Sequence, residues 1–206
     1  MQTYDDDGFA SPEELRDEFM ARPQERLNDP KGAARASAVG RIAVERGYAR
    51  FQAIRDYYHA ADRDIRRAGA DEWGVSVYEV DWVRLFSPIE YALWHDIRNW
   101  NAILYPQYPV GRYFVDFGNP IARVAIECDG AKWHQDGQRD AVRQRAIEDL
   151  GWSVYRISGG DCKKDFDEET KEQSPGASLI YRIVHGHEIG RGMRRSGRAI
   201  VCGDFT

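Results

Sequence analysis

A chain of 206 residues, 42% of them hydrophobic, can bury one substantial core with appendages and is too short for more than two small domains. It has no apolar run of about eighteen residues, and Met1 to Asp7 has neither the basic nor the apolar stretch of a secretory signal, so a cytoplasmic protein with no membrane partner is expected. A net charge of −5 excludes a protein that coats nucleic acid through overall positive charge.

The charge is uneven, however. Arg41 to Arg67 carries seven arginines and Arg191 to Arg198 carries four, enough to line a local nucleic-acid groove or, more plainly, to solvate a helix face and a loose tail. Cys128, Cys162 and Cys202 have no metal-ligand spacing and are odd in number, which points to reduced thiols rather than a disulfide framework.

Taken in chain order, Ser11-Pro-Glu-Glu14 is a helix start, and Pro23 and Pro30 interrupt the residues after it. Ser37 to Ala70, rich in alanine and arginine with apolar residues at helical spacing, predicts one long helix or two shorter ones. Trp73 to Val83 is aromatic and β-branched, a short strand or a connector. Ser87-Pro-Ile-Glu90 is a capping box that opens a helix through Trp100. Three strands are then expected at 103–110, 112–117 and 123–128, the last two joined by a turn at Gly118-Asn-Pro120. Asp136 to Leu150 is a charged helix stopped by Gly151, Trp152 to Ile157 a further strand, and Ala177 to His185 a short helix before a Gly/Arg-rich end. The expected domains are a helical N-terminal extension over 1–80, an α/β core over 81–160, and a C-terminal helix and tail over 161–206.

The chemistry concentrates in Tyr113-Phe-Val-Asp-Phe117 and Val124-Ala-Ile-Glu-Cys-Asp-Gly130. Asp116 and Glu127 sit on neighbouring strands of this hairpin. Strand side chains alternate, so Glu127 and Asp129 share a face while Cys128 takes the other. Carboxylates gathered this closely repel one another unless a cation lies between them, and hard oxygen donors suit Mg²⁺ or Mn²⁺. His134 is close in sequence, with an ordinary pKa suited to proton transfer. The plainer alternative is that these carboxylates bond to loop amides. Asp140 and Arg143, near neighbours on one helix, could be a surface ion pair or, for Arg143, a phosphate ligand. His185 and His187 look structural, and Trp82, Trp94 and Trp100 core aromatics.

The order helix, three strands, helix, strand, together with Ser87-Pro-Ile-Glu90, Gln107, Tyr113-Phe-Val-Asp-Phe117, Ile126-Glu-Cys-Asp-Gly130, His134, Asp140, Arg143 and Gly151-Trp152, resembles the PD-(D/E)xK nuclease superfamily. Within it, the likeness is to very-short-patch-repair-like domains of unknown function related to the mismatch endonuclease Vsr. It covers Ser87 to Ile157. The resemblance implies a restriction-endonuclease-like αβββαβ core with a central mixed β-sheet, a divalent metal held by Asp116, Glu127 and the backbone carbonyl of Cys128, and a ligand role for Glu90 beside its capping role. The superfamily's lysine would fall at Asp129, the usual residue in this subgroup, where it could orient water or hold a second metal. Lys132, His134 or Arg143 could supply the missing donor, and Gln107 could orient a ligand.

The function expected is metal-dependent hydrolysis of DNA phosphodiester bonds, of a repair, restriction or mobile-element kind. The alternatives are a catalytically silent nuclease-like module that binds nucleic acid or protein, and an RNA-cleaving enzyme. The N-terminal helices offer a surface for a second copy of the chain or another subunit.

Overall fold

The computed structural model describes residues 30–130, 137–165, 167–168 and 172–193. The expected helix start at Ser11, the loop positions Lys132 and His134, Cys202 and the arginines of the tail beyond Met193 lie outside the described residues.

Pro30 opens a helix rather than interrupting one: α1 runs Pro30–Val44, with the ring at a first-turn position where no amide hydrogen is needed. Helix α2 spans Gly47–Ala68. The chain turns between them at Gly47, whose φ of 55° suits glycine. Arg35 pairs with Asp64 and Arg41 with Asp56, a spacing that makes the two helices an antiparallel hairpin. The segment after them is a connector, as one of the two expectations had it, with a 3-10 turn at Trp82–Arg84.

Helix α3 (Pro88–Asn99) begins with the capping box read from the sequence: Ser87 accepts from the Glu90 amide, and Glu90 accepts from the Ser87 amide. Strands β1 (Tyr105–Val110), β2 (Tyr113–Asn119) and β3 (Val124–Asp129) come next. After them are α4 (Gly137–Glu148), β4 (Ser153–Ser158), a single turn α5 (Gly159–Cys162) and α6 (Pro175–His187). Gly118 and Asn119 belong to β2 and not to the turn expected there, so the hairpin reverses at Pro120 to Arg123.

The sheet has order β1-β2-β3-β4, with β1-β2 and β2-β3 antiparallel and β3-β4 parallel. This is the expected α/β class with a mixed sheet. Pro106 and Pro109 sit in β1, an edge strand, where the missing amide hydrogens cost least. One face packs against α1, α2 and Ile147 of α4 through Tyr58, Tyr105, Tyr108, Val115 and Ala125. The other packs against α3, α5 and α6 through Leu93, Ile97, Phe117, Val124, Ile126 and Ile180. The N-terminal hairpin therefore shares a core with the sheet.

Two features orient the site. Asn119 is fully buried and satisfies four backbone groups: its amide nitrogen donates to the carbonyls of Ala70 and Ile103, and its oxygen accepts from the amides of Ile121 and Ala122. It fastens the connector after α2 to the end of the β2–β3 hairpin. The second feature is a break in strand alternation. Tyr105 and Tyr108, three apart, face the same core, whereas Val115 and Phe117, two apart, face different cores. The break falls at Gln107, whose φ is 48°, and at Asp116, which stands opposite it between the pairs Pro106↔Phe117 and Tyr108↔Val115.

Candidate active site

Asp116 leaves the ladder. The β2–β3 pairs end at Phe117↔Ile126, and beyond them the Asp116 carboxylate itself accepts the backbone N–H of Cys128 at 2.7 Å. Burial pushes its carboxyl well above the usual range, and the charges of Glu127 and Glu90 push the same way, against the pull of the Cys128 amide. One carboxylate in the middle of β2 is thus pressed between two others.

Glu90 reaches the cluster from the first turn of α3, and its capping role holds. One carboxylate oxygen accepts from Ser87 as a cap, and the other accepts the side-chain amide of Gln107 at 2.6 Å. The backbone kink at Gln107 and its amide thus act on the same neighbour.

Glu127 is buried, and burial raises its carboxyl to about 7 despite the opposing Arg143 guanidinium. Arg143 donates to Glu127 at 2.9 Å and, from the same nitrogen, to the carbonyl of Phe114 at 2.6 Å. Its partner is therefore Glu127 and not Asp140, correcting the simple helix-surface pair. Asp129 shares the face of Glu127, as alternation predicts. It is held by Arg156 through two bonds of 2.8 and 2.6 Å, and Asp140 lies 4.0 Å from the same guanidinium. No motif in the sequence marks Arg156. Its signal lies in the parallel register, which sets it beside Glu127. Cys128 faces the other core, and its thiol contacts that of Cys162, which pushes Cys128 up and Cys162 down.

A cavity of about 20 Å³, room for a water molecule, opens among Glu127, Asp140, Arg143 and Arg156. Among the described residues, no group of three or more His, Cys, Asp or Glu side chains is arranged as a preformed metal cage. The donor set nevertheless fits a hard divalent cation. Asp116, Glu127 and Glu90 offer only oxygens, and burial first, then neighbouring carboxylates, raises the carboxyls of Asp116 and Glu127, a penalty that a cation would relieve.

The region carrying this cluster also has relatives. Residues 90–173 match the family model REase_MTES_1575. The match supports a restriction-endonuclease-like domain. It starts at Glu90 and takes in Gln107, Asp116, Glu127, Asp129, Arg143 and Arg156, and leaves α1 and α2 outside. An uncharacterized protein of Haemophilus influenzae is 30% identical over 93 residues, 44% of this chain and 59% of that protein. The uncharacterized protein YcjD of Escherichia coli is 38% identical over 64 residues, 31% of this chain and 53% of the relative. The chain thus spans somewhat over half the length of these relatives. No solved structure matches the chain. No described helix is long and apolar enough to cross a membrane.

Proposed function

We propose that this chain is a Mg²⁺- or Mn²⁺-dependent endonuclease that hydrolyses phosphodiester bonds in DNA. The observation that carries the reading is Asp116, half-buried in the middle of β2 where the β2–β3 ladder ends and crowded by Glu127 and Glu90, with one backbone amide as its compensation. In this reading Asp116, Glu127 and the carbonyl of Cys128 hold the cation, with Glu90 completing the oxygen set. When bound, the cation supplies Lewis acidity toward a phosphate oxygen and lowers the pKa of a water.

The remaining work falls to the chain's own side chains. Gln107, with its amide on Glu90, fixes that carboxylate toward Asp116. Asp129, its orientation set by the Arg156 fork, accepts a hydrogen bond from the attacking water and aims its oxygen. Arg143, about a third exposed, presents a planar fork that suits the nonbridging oxygens of the scissile phosphate. Lys132 and His134, in the segment after Gly130, are the proposed donors to the leaving oxygen, His134 because its ordinary pKa lies near neutrality.

A second reading has its own support: Arg143 and Arg156 already compensate Glu127 and Asp129, as suits a module that binds nucleic acid without cutting it. One experiment separates the two. Purified chain is incubated with supercoiled plasmid, single-stranded DNA and RNA in Mg²⁺, Mn²⁺ or EDTA, beside Asp116→Asn. Metal-dependent cutting of DNA that the variant lacks is the expected result. Salt-sensitive binding without turnover would favour the silent module, and cutting confined to RNA would move the substrate class.

A further inference from the structure

Several guanidinium groups near the helical hairpin and the site are paired with acids. Arg35, Arg41, Arg66, Arg143, Arg156 and Arg191 each lie against a carboxylate. A second set, where α2 begins and the β1–β2 turn meets it, is not. Arg50 donates to the carbonyl of Glu45 and Arg55 to that of Gly111, both at 2.7 Å. Arg112 donates to the Tyr113 hydroxyl at 2.6 Å. Arg46, exposed, has no carboxylate partner among the described residues. Four guanidinium groups concentrated here with no carboxylate partner among the described residues stand out in a chain whose net charge is −5.

The same corner exposes aromatic and apolar surface. Tyr48 is 83% exposed, Val44 76% and Phe51 44%. The arginines interleave with the rings: Arg55 lies 4.8 Å from the centre of Phe114 and Arg112 4.9 Å from that of Tyr113. Cations stacked on rings keep their outward edges free to donate to phosphate oxygens.

The corner is also continuous with the carboxylate cluster. Phe51 packs on Phe114, ring centres 5.0 Å apart, and the Phe114 carbonyl accepts from the Arg143 nitrogen that also binds Glu127. Phe114 stands two residues before Asp116. A chain of phosphates passing Asp116 and Glu127 would reach this corner next.

We propose that the corner formed by Arg46, Tyr48, Phe51, Arg55, Arg112 and Tyr113 is a docking surface for the phosphate backbone of DNA flanking the bond to be cut. The choice of occupant rests on charge complementarity, guanidinium groups with no carboxylate partner among the described residues meeting a polyanion. The inference rests on the nuclease reading for its geometry. It goes beyond that reading by giving the helical hairpin, which lies outside the matched family region, the task of holding substrate.

The test measures binding apart from cutting. A fluorescein-labelled duplex is titrated with the full chain in EDTA at several salt concentrations, comparing wild type, the doubly reversed Arg46→Glu/Arg112→Glu and the control Arg63→Glu/Arg67→Glu. The last changes two exposed arginines at the far end of α2. Melting curves verify that both variants fold. Wild type is expected to bind with a steep salt dependence. The corner variant should lose about tenfold or more in affinity, and the slope of log K against log salt should shrink by about two, one for each lost phosphate contact. The control should bind within about twofold of wild type.

A wild type that ignores the duplex, a corner variant that binds like wild type, or a control that loses as much would each overturn the inference. The outcome is separable from the catalytic reading. If plasmid is cut but the corner variant binds normally, the surface assignment fails and the nuclease stands. If plasmid is untouched but binding depends on the corner, the surface assignment stands without catalysis.

Discussion

Gln107 stands directly across the β1–β2 ladder from Asp116, carries a φ of 48°, and donates its side-chain amide to the Glu90 that presses on Asp116. Both strands change the core they face at this pair. A left-handed residue inside a strand reverses the side on which the next side chains emerge, and it costs a non-glycine residue about 1 kcal/mol or more. Here the cost is localised at the candidate site, where it brings a strand amide within reach of a helix carboxylate.

Replacing Gln107 separates the backbone from the amide. Gln107→Gly relaxes the positive φ and loses the bond to Glu90, whereas Gln107→Ala keeps the strain and loses the same bond. The glycine variant should be more stable than the alanine variant by about 1 kcal/mol in urea denaturation. Both should lose DNA cleavage to a similar extent, since both free Glu90. An alanine variant as stable as the glycine variant would show that the kink stores no strain.

Glu127 should make metal-free stability fall with rising pH. Its carboxyl titrates near 7 in the folded chain against an ordinary value of 4.5, so the folded state holds the extra proton between those values. Its contribution is complete below pH 4.5 and is lost as pH rises through 7, by on the order of 3 kcal/mol. In EDTA, Glu127→Gln should therefore melt higher than wild type at pH 8 and close to it at pH 4.5. Equal differences at both values would place the carboxyl in its ordinary range.

Arg143 should matter to chemistry more than to folding. Arg143→Lys keeps one positive charge but not the two-bond bridge to Glu127 and the Phe114 carbonyl. Cleavage should fall by about a hundredfold, with the melting temperature little changed because the side chain is partly exposed. The check is single-turnover cleavage beside a thermal melt.

Asn119 should be among the costliest polar positions. Asn119→Ala leaves two carbonyls and two amides without partners in a fully buried site. Equilibrium unfolding should show a loss of about 3 kcal/mol or more. A loss under about 1 kcal/mol would mean that the connector after α2 is not held by this residue.

Much of this could be read in the residues because local signals and the fold agree. Ser87 and Glu90 spell the cap that starts α3, Gly151 with φ 81° ends the α4 segment, and the alternation of Glu127, Cys128 and Asp129 places them on the faces observed. What escaped were features decided by tertiary contact. Pro30 reads as an interruption of the chain, yet it stands at the first turn of α1, a position its fixed φ also suits. Gly118 and Asn119 have turn chemistry, yet a buried set of four backbone groups draws Asn119 into the strand end. The reversal at Gln107 has no sequence mark, since glutamine has no preference for positive φ. The pairing of Arg143 with Glu127 instead of Asp140 depends on how α4 lies over the sheet, which helical spacing alone does not fix.

The measurement closest to the central claim is calorimetric titration of Mn²⁺ into the metal-free chain at pH 6.5, repeated in two buffers of different ionisation enthalpy, with Asp116→Asn alongside. Wild type is expected to bind the ion and release protons, because the elevated carboxyls of Asp116 and Glu127 must give them up to become ligands, and the variant to bind at least about tenfold more weakly. No binding by wild type, or equal binding by Asp116→Asn, would contradict it.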